Sequence, residues 1–147
     1  MEYWKFKAID RLRNHVAQKT AKVNLSEEIK RLSSEACSIK SATSDGTPVK
    51  GGGNGREDRL LSNIVQREEY GRMIERADIS VRIVERALSV LDDEERYMLQ
   101  TMYIERIPNA VDHLADRYGL LEASSVYKRV NKALLNFTVA MYGITES

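Results

Sequence analysis

The chain has 147 residues, 42% of them hydrophobic and 31% charged, with only two prolines; this balance suits long helices and excludes a disordered polymer. No run of 18 apolar residues occurs, which excludes a helical membrane span, and a lone cysteine excludes an internal disulfide. The two histidines, His15 and His113, lie far apart, which argues against a metal site of Cys–His spacing; no cofactor-binding motif is present either.

The net charge of +1 hides a gradient along the chain. Residues 1–40 carry nine basic and five acidic side chains, residues 41–91 carry eight of each, and residues 92–147 carry six basic and nine acidic. The opening stretch MEYWKFKAIDRLRN is amphipathic and lacks the apolar centre of a secretion signal, so a cytoplasmic address is expected. Tyr3, Trp4 and Phe6 form an aromatic cluster that suits either an interface or packing on another helix.

From Tyr3 to Ile39 the spacing predicts a long amphipathic helix. Ile9, Leu12, Val16 and Val23 keep one stripe; Leu25, Ile29, Leu32, Ala36 and Ile39 continue it with a shift in phase. Asn24 or Ser26 could instead cap a second helix. Cys37 is expected to be buried or inert.

Ser41 to Gly55, SATSDGTPVKGGGNG, breaks the pattern with turn dipeptides and a glycine cluster. No Gly-Lys-Ser/Thr follows, so a connector is favoured over a phosphate cradle. From Arg56 to Leu91 a second long helix is predicted. Its apolar stripe is Leu60, Ile64, Tyr70, Met73, Ala77, Val81, Val84, Leu88 and Leu91, and its opposite side is dense in charge, as at Glu68, Arg72, Glu75 and Arg82. Two long helices joined by a glycine-rich loop predict an antiparallel, coiled-coil-like hairpin over residues 1–91. Because a hairpin has little core of its own, further helices or a second copy of the chain should cover it.

Three shorter helices are predicted over residues 92–147. Asp92 can cap the first, with Glu95 at the capping-box position, and Met98, Leu99 and Met102 mark its buried side. Pro108 closes that helix. Asn109 can cap the next, with Asp112 three residues on; Val111, Leu114, Ala115 and Tyr118 line its inner face, and Gly119 ends it. In the last helix Val126, Val130, Ala133, Leu134 and Phe137 face inward. That leaves Ser124, Tyr127, Lys128, Asn131 and Leu135 outward, with Arg129 and Lys132 near the edges. Helix, glycine turn, helix with an exposed basic first half is the arrangement of a helix-turn-helix, whose second helix enters the major groove of DNA.

The stretch LDDEERYMLQTMYIERIPNAVDHLADRYGLLEASSVYKRVNKALLNF resembles region 4 of bacterial sigma-70 factors. The features in common are Leu91, the acidic run Asp92 to Glu95, Met98-Leu99, Tyr103, Leu114-Ala115, Gly119, Val126 and Ala133-Leu134. The whole layout is similar to phage-encoded sigma-like regulators of the ArpU type and related prophage proteins. The chain departs from the family pattern at Ala110 and His113, in a turn one residue longer between Gly119 and Val126, and at Glu122, where the family has a serine cap and where a carboxylate would repel phosphate.

The resemblance implies an all-α, non-enzymatic transcriptional regulator. Paired carboxylates at residues 92–95 are explained by capping and the helix dipole rather than by catalysis. Double-stranded DNA would be met by Ser124, Ser125, Tyr127, Lys128, Arg129, Asn131 and Lys132, with Arg117 on phosphate. Two other functions stay open. One is a helical interaction module that binds RNA polymerase or another phage protein, or forms a homodimer through the long helices. The other is a DNA-packaging protein.

Overall fold

A computed structural model describes residues 2–41 and 53–143. The described residues form six α-helices and one π-helical turn, and no strand occurs among them. In chain order they are α1 (Tyr3–Arg13), α2 (His15–Ser41), α3 (Gly53–Ser89), α4 (Asp93–Leu99), the π turn Gln100–Ile104, α5 (Ala110–Tyr118) and α6 (Ala123–Tyr142). No helix among the described residues is long and apolar enough to cross a membrane. The connector expected between the long helices falls mostly outside the described residues, and α3 begins at Gly53, three residues ahead of the predicted start.

The first predicted helix is interrupted, at neither Asn24 nor Ser26 but at Asn14. The interruption is small. The Asn14 amide still donates to the Asp10 carbonyl at 3.0 Å, and its own carbonyl accepts from Gln18 at 2.9 Å. Its side chain donates to Asp10 Oδ1 at 3.0 Å, the local competition with backbone bonding that makes asparagine a poor helix interior.

Contacts divide the chain into two compact units, Met1–Gln18 with Ile79–Ser147, and Lys19–Asp78. This division differs from the one read from sequence, residues 1–91 and 92–147. In the second unit polar bonds tie α2 to α3. Lys22 Nζ meets Asp78 Oδ1 at 2.5 Å, Asn63 Nδ2 donates to the Leu32 carbonyl at 2.8 Å, and Arg56 donates to the Ile39 carbonyl at 3.0 Å. Positions rise along α2 as they fall along α3.

The buried side chains in this unit are Leu32, Ala36, Ile39, Asn63 and Ala77. The expected stripe therefore holds at Leu32, Ala36, Ile39 and Ala77 and fails at Val23, Ile64 and Met73. Val23 is 59% exposed, Ile64 42% and Met73 41%. The inner face of α3 is set instead by Asn63, whose amide oxygen accepts from Arg67 Nε at 2.7 Å while its nitrogen donates to α2. A helix turned to bury position 63 carries positions 64 and 73 to its flanks, about 100° and about 80° away on opposite sides. Cys37 is exposed, not buried.

The other unit has one continuous core. Ala8, Ile9 and Leu12 of α1 join Val84, Ala87 and Leu88 of α3, Leu91, Met98 and Leu99, Tyr103, Leu114, and Val126, Val130, Ala133, Leu134 and Phe137 of α6. Val16, expected on the inward stripe, is 52% exposed. Arg96 joins the end of α3 to α4: its guanidinium donates to the carbonyls of Leu88 at 3.0 Å and Leu91 at 2.9 Å, and pairs with Asp93 at 3.0 Å. These carbonyls belong to the last turn of α3 and its exit, where helical partners run out.

Candidate nucleic-acid interface

The candidate site is assembled by α4, α5 and α6. Asp92 caps α4 as expected, its carboxylate accepting from the Glu95 amide at 2.7 Å. That bond holds the Asp92 carboxyl below its ordinary value. Burial pushes Glu95 the other way, and its carboxylate accepts from Asn136 of α6 at 2.7 Å.

After α4 the helix passes into the π turn, closed by the Glu105 amide on the Gln100 carbonyl at 2.7 Å. Within it Thr101 and Tyr103 are buried, and burial raises the Tyr103 phenol above its usual range.

Asn109 does not cap α5 with its side chain. It stands at the expected position but in the left-handed region, φ 57°, as does Arg106, φ 53°, and no side-chain cap bond forms. A cap side chain reaches the first turn from extended backbone; the left-handed geometry at Asn109 does not offer that approach. Gly119 meets its expectation. It adopts φ 65° at the end of α5, and the Leu120 amide returns to the Ala115 carbonyl at 2.8 Å, a glycine-terminated helix end.

From this turn α6 starts at Ala123, with Glu122 at the cap position making no side-chain cap bond. Ser124 Oγ instead donates to Glu122 Oε2 at 3.2 Å. Val126, Val130, Ala133, Leu134 and Phe137 are fully buried, all as the spacing predicts.

The predicted contact residues separate into three groups. Ser124, Tyr127, Lys128 and Lys132 are exposed along the outer side of α6, and Ser125 and Asn131 are half-buried at its margins. Arg129 is exposed too, but its guanidinium is held by Glu94 at 2.6 Å. Arg117 lies over the Tyr97 ring at 4.0 Å from the centroid and close to Tyr118; its bond to Tyr118 raises its already high affinity for its proton. Tyr97 in turn meets His113 Nε2 at 2.6 Å.

Two neighbours of this surface act on it from outside the helix-turn-helix pattern. One is the acidic start of α4. Glu94 and Glu95 bond to α6 directly, and both Asp92 and Glu95 feel the Lys132 charge. The other is the first turn of α1. Glu2, Trp4 and Lys5 line an open groove of about 780 Å³ with Asn131, Lys132 and Leu135 of α6. Trp4 Nε1 donates to Glu2, and Lys7 stacks between the rings of Tyr3 and Tyr142. Tyr3 and Phe6 are 60% and 59% exposed, so packing accounts for Trp4 alone in that aromatic cluster.

No protein-family model, no curated protein and no solved structure matches this chain.

Proposed function

We propose that this chain is a phage-type transcriptional regulator that reads double-stranded DNA through the first half of α6. In this reading α5, the Gly119 turn and α6 are a sigma region 4-like helix-turn-helix, α2 and α3 are the two arms of an antiparallel hairpin, and the protein works in the cytoplasm without catalysing a reaction. The observation that carries it is the sorting of α6. Its valines, Leu134 and Phe137 are fully buried while Ser124, Tyr127, Lys128 and Lys132 stand in solvent. Lysine can reach guanine acceptors in the major groove, and serine or asparagine can bond base edges. Lys128 is the strongest candidate for base contact because no ion pair among the described residues engages it. Arg129 is better placed to hold α4 against α6 than to reach phosphate.

Selection of the full chain on a random duplex library tests the proposal. An enriched motif is expected. Lys128→Ala should weaken binding to that motif by about 1–3 kcal/mol, the worth of a base contact, whereas Arg129→Ala should change it little. Absence of any enriched motif, together with no binding at low salt, would remove the DNA reading.

A second reading is favoured by one observation. The outer side of α6 turns apolar in its second half, with Leu135, Val139 and Tyr142 exposed beside Tyr3. Such a patch suits a protein partner, RNA polymerase or another phage protein among them. Pull-down with Val139→Asp separates the two readings, since DNA binding should survive that substitution.

A further inference from the structure

Resting on the DNA reading above, we propose that the groove between the first turn of α1 and the middle of α6 seats a backbone phosphate of the bound duplex, held by Lys5 and Lys132. Helix-turn-helix contacts ordinarily come from the two helices of the motif; here a helix from the other end of the chain would supply one.

The placement follows from dimensions. Asn131 and Lys132 lie seven and eight residues beyond Ser124, roughly 10–12 Å along a helix at its usual rise. The major groove is about 12 Å wide. A helix that offers its first turns to base edges therefore meets a sugar-phosphate wall near residues 131–132. At that level the groove brings together an ammonium from each of two helices, Lys5 and Lys132, and the Asn131 amide. Among the described residues Lys5 is in no ion pair. Trp4 is packed against the core cluster, which fixes the turn that carries Lys5.

The acidic groups that face the groove are few. Glu2 lines it and is engaged by the Trp4 indole, while Asp92 and Glu95 act on Lys132 from α4. Lys132 is thus partly neutralised, and Lys5 is the cation that decides whether a phosphate is held. Glu2 opposes it.

The test is the salt dependence of binding of the full chain to a random-sequence duplex of about 20 base pairs, followed by fluorescence anisotropy; each phosphate contact contributes roughly 0.9 to the slope of log affinity against log salt. Lys5→Ala should make the slope shallower by about 0.9, and Lys5→Arg should restore it. Glu2→Gln keeps an acceptor for the indole and should tighten binding. Lys30→Ala, an exposed lysine of the other compact unit, should leave the slope unchanged. If the wild-type chain binds and Lys128→Ala weakens selection as expected, yet Lys5→Ala leaves the slope intact, the groove proposal is overturned and the DNA reading stands. If the wild-type chain does not bind at low salt, both fall.

Discussion

Residues 2–18 with 79–143 bury Phe137, Leu114, Leu134, Leu99 and Val130 completely, whereas residues 19–78 bury two alanines, one leucine, one isoleucine and an asparagine. The first region closes helices around a shared core on several sides. The second has only α2 and α3, and leaves Leu61, Ile64, Val65 and Met73 in solvent. Two helices alone cannot cover each other's apolar surface, so the second region relies more on polar ties: Lys22 to Asp78, Arg56 to Ile39, and Asn63 to Leu32. The difference teaches where stability is stored. In one region it scales with apolar volume, and in the other it depends on a few bonds of defined geometry.

The largest expected effect tests the first half of that contrast. Phe137→Ala should cost about 3–5 kcal/mol, the usual loss for a buried aromatic ring that leaves a cavity. Native-state hydrogen exchange is the measurement, with the loss expected in the amides of α4, α5 and α6. A loss under about 1 kcal/mol would mean that the site collapses around the gap and that the core is not closely packed.

A smaller effect tests the other half. Asn63→Ala removes the donor to Leu32 and the acceptor for Arg67, and should cost about 1–3 kcal/mol, the range for stranding buried polar partners. Exchange should quicken in residues 19–41 and 53–78. Asn63→Leu sharpens the comparison. A buried polar residue can fix the pairing register of helices at the expense of stability. If Asn63→Leu is more stable than wild type but its exchange pattern loses the distinction between buried and exposed positions, Asn63 sets register. If it is simply less stable, the bond itself is what matters.

The same contrast decides how much could be seen in the sequence. In α6 the apolar inward set was legible, because a helix that packs on several neighbours must keep its apolar residues on one side, and Val126, Val130, Ala133, Leu134 and Phe137 do so; the buried Thr138 was not. In α3 the stripe was legible from Ala77 onward, where Ala77, Val81, Val84 and Leu88 are all buried. Before it, Ile64 and Met73 looked like core and are not, because the asparagine beside Ile64 outbids it through hydrogen bonds that periodicity does not register. Asp92 and Gly119 were readable as caps, since both act on their own turn. Asn109 has a cap residue's identity without its backbone geometry. Of the candidate contact residues, sequence placed Lys128 on the outer side of α6 correctly. It could not show that Glu94 occupies Arg129, that Tyr97 carries Arg117, or that Lys5 stands across a groove from Lys132. Each of those is a meeting of distant segments, which no local pattern encodes.

The smallest expected effect lies at the seam of α4 and α6 and concerns pH. Asp92 has its carboxyl lowered by the Glu95 amide, whereas Glu95 has its own raised by burial. A lowered carboxyl favours folding once it is ionised, so the Asp92 contribution is present above its ordinary value of 3.8 and is lost as pH falls through its folded value. A raised carboxyl does the reverse: the Glu95 contribution favours folding at low pH and is lost as pH rises through its folded value, above the ordinary 4.5. The two contributions oppose each other in sign, so each variant is read against the wild-type profile. Asp92→Asn keeps an oxygen to cap the helix and removes only the charge, so its thermal midpoint should fall relative to wild type as pH rises through the carboxylate range. Glu95→Gln keeps an acceptor for Asn136 and should show the opposite trend. If both variants follow the wild-type profile, the cap bond owes nothing to the charge of Asp92, and the acidic start of α4 acts through its pairs with Arg96 and Arg129 and its approach to Lys132.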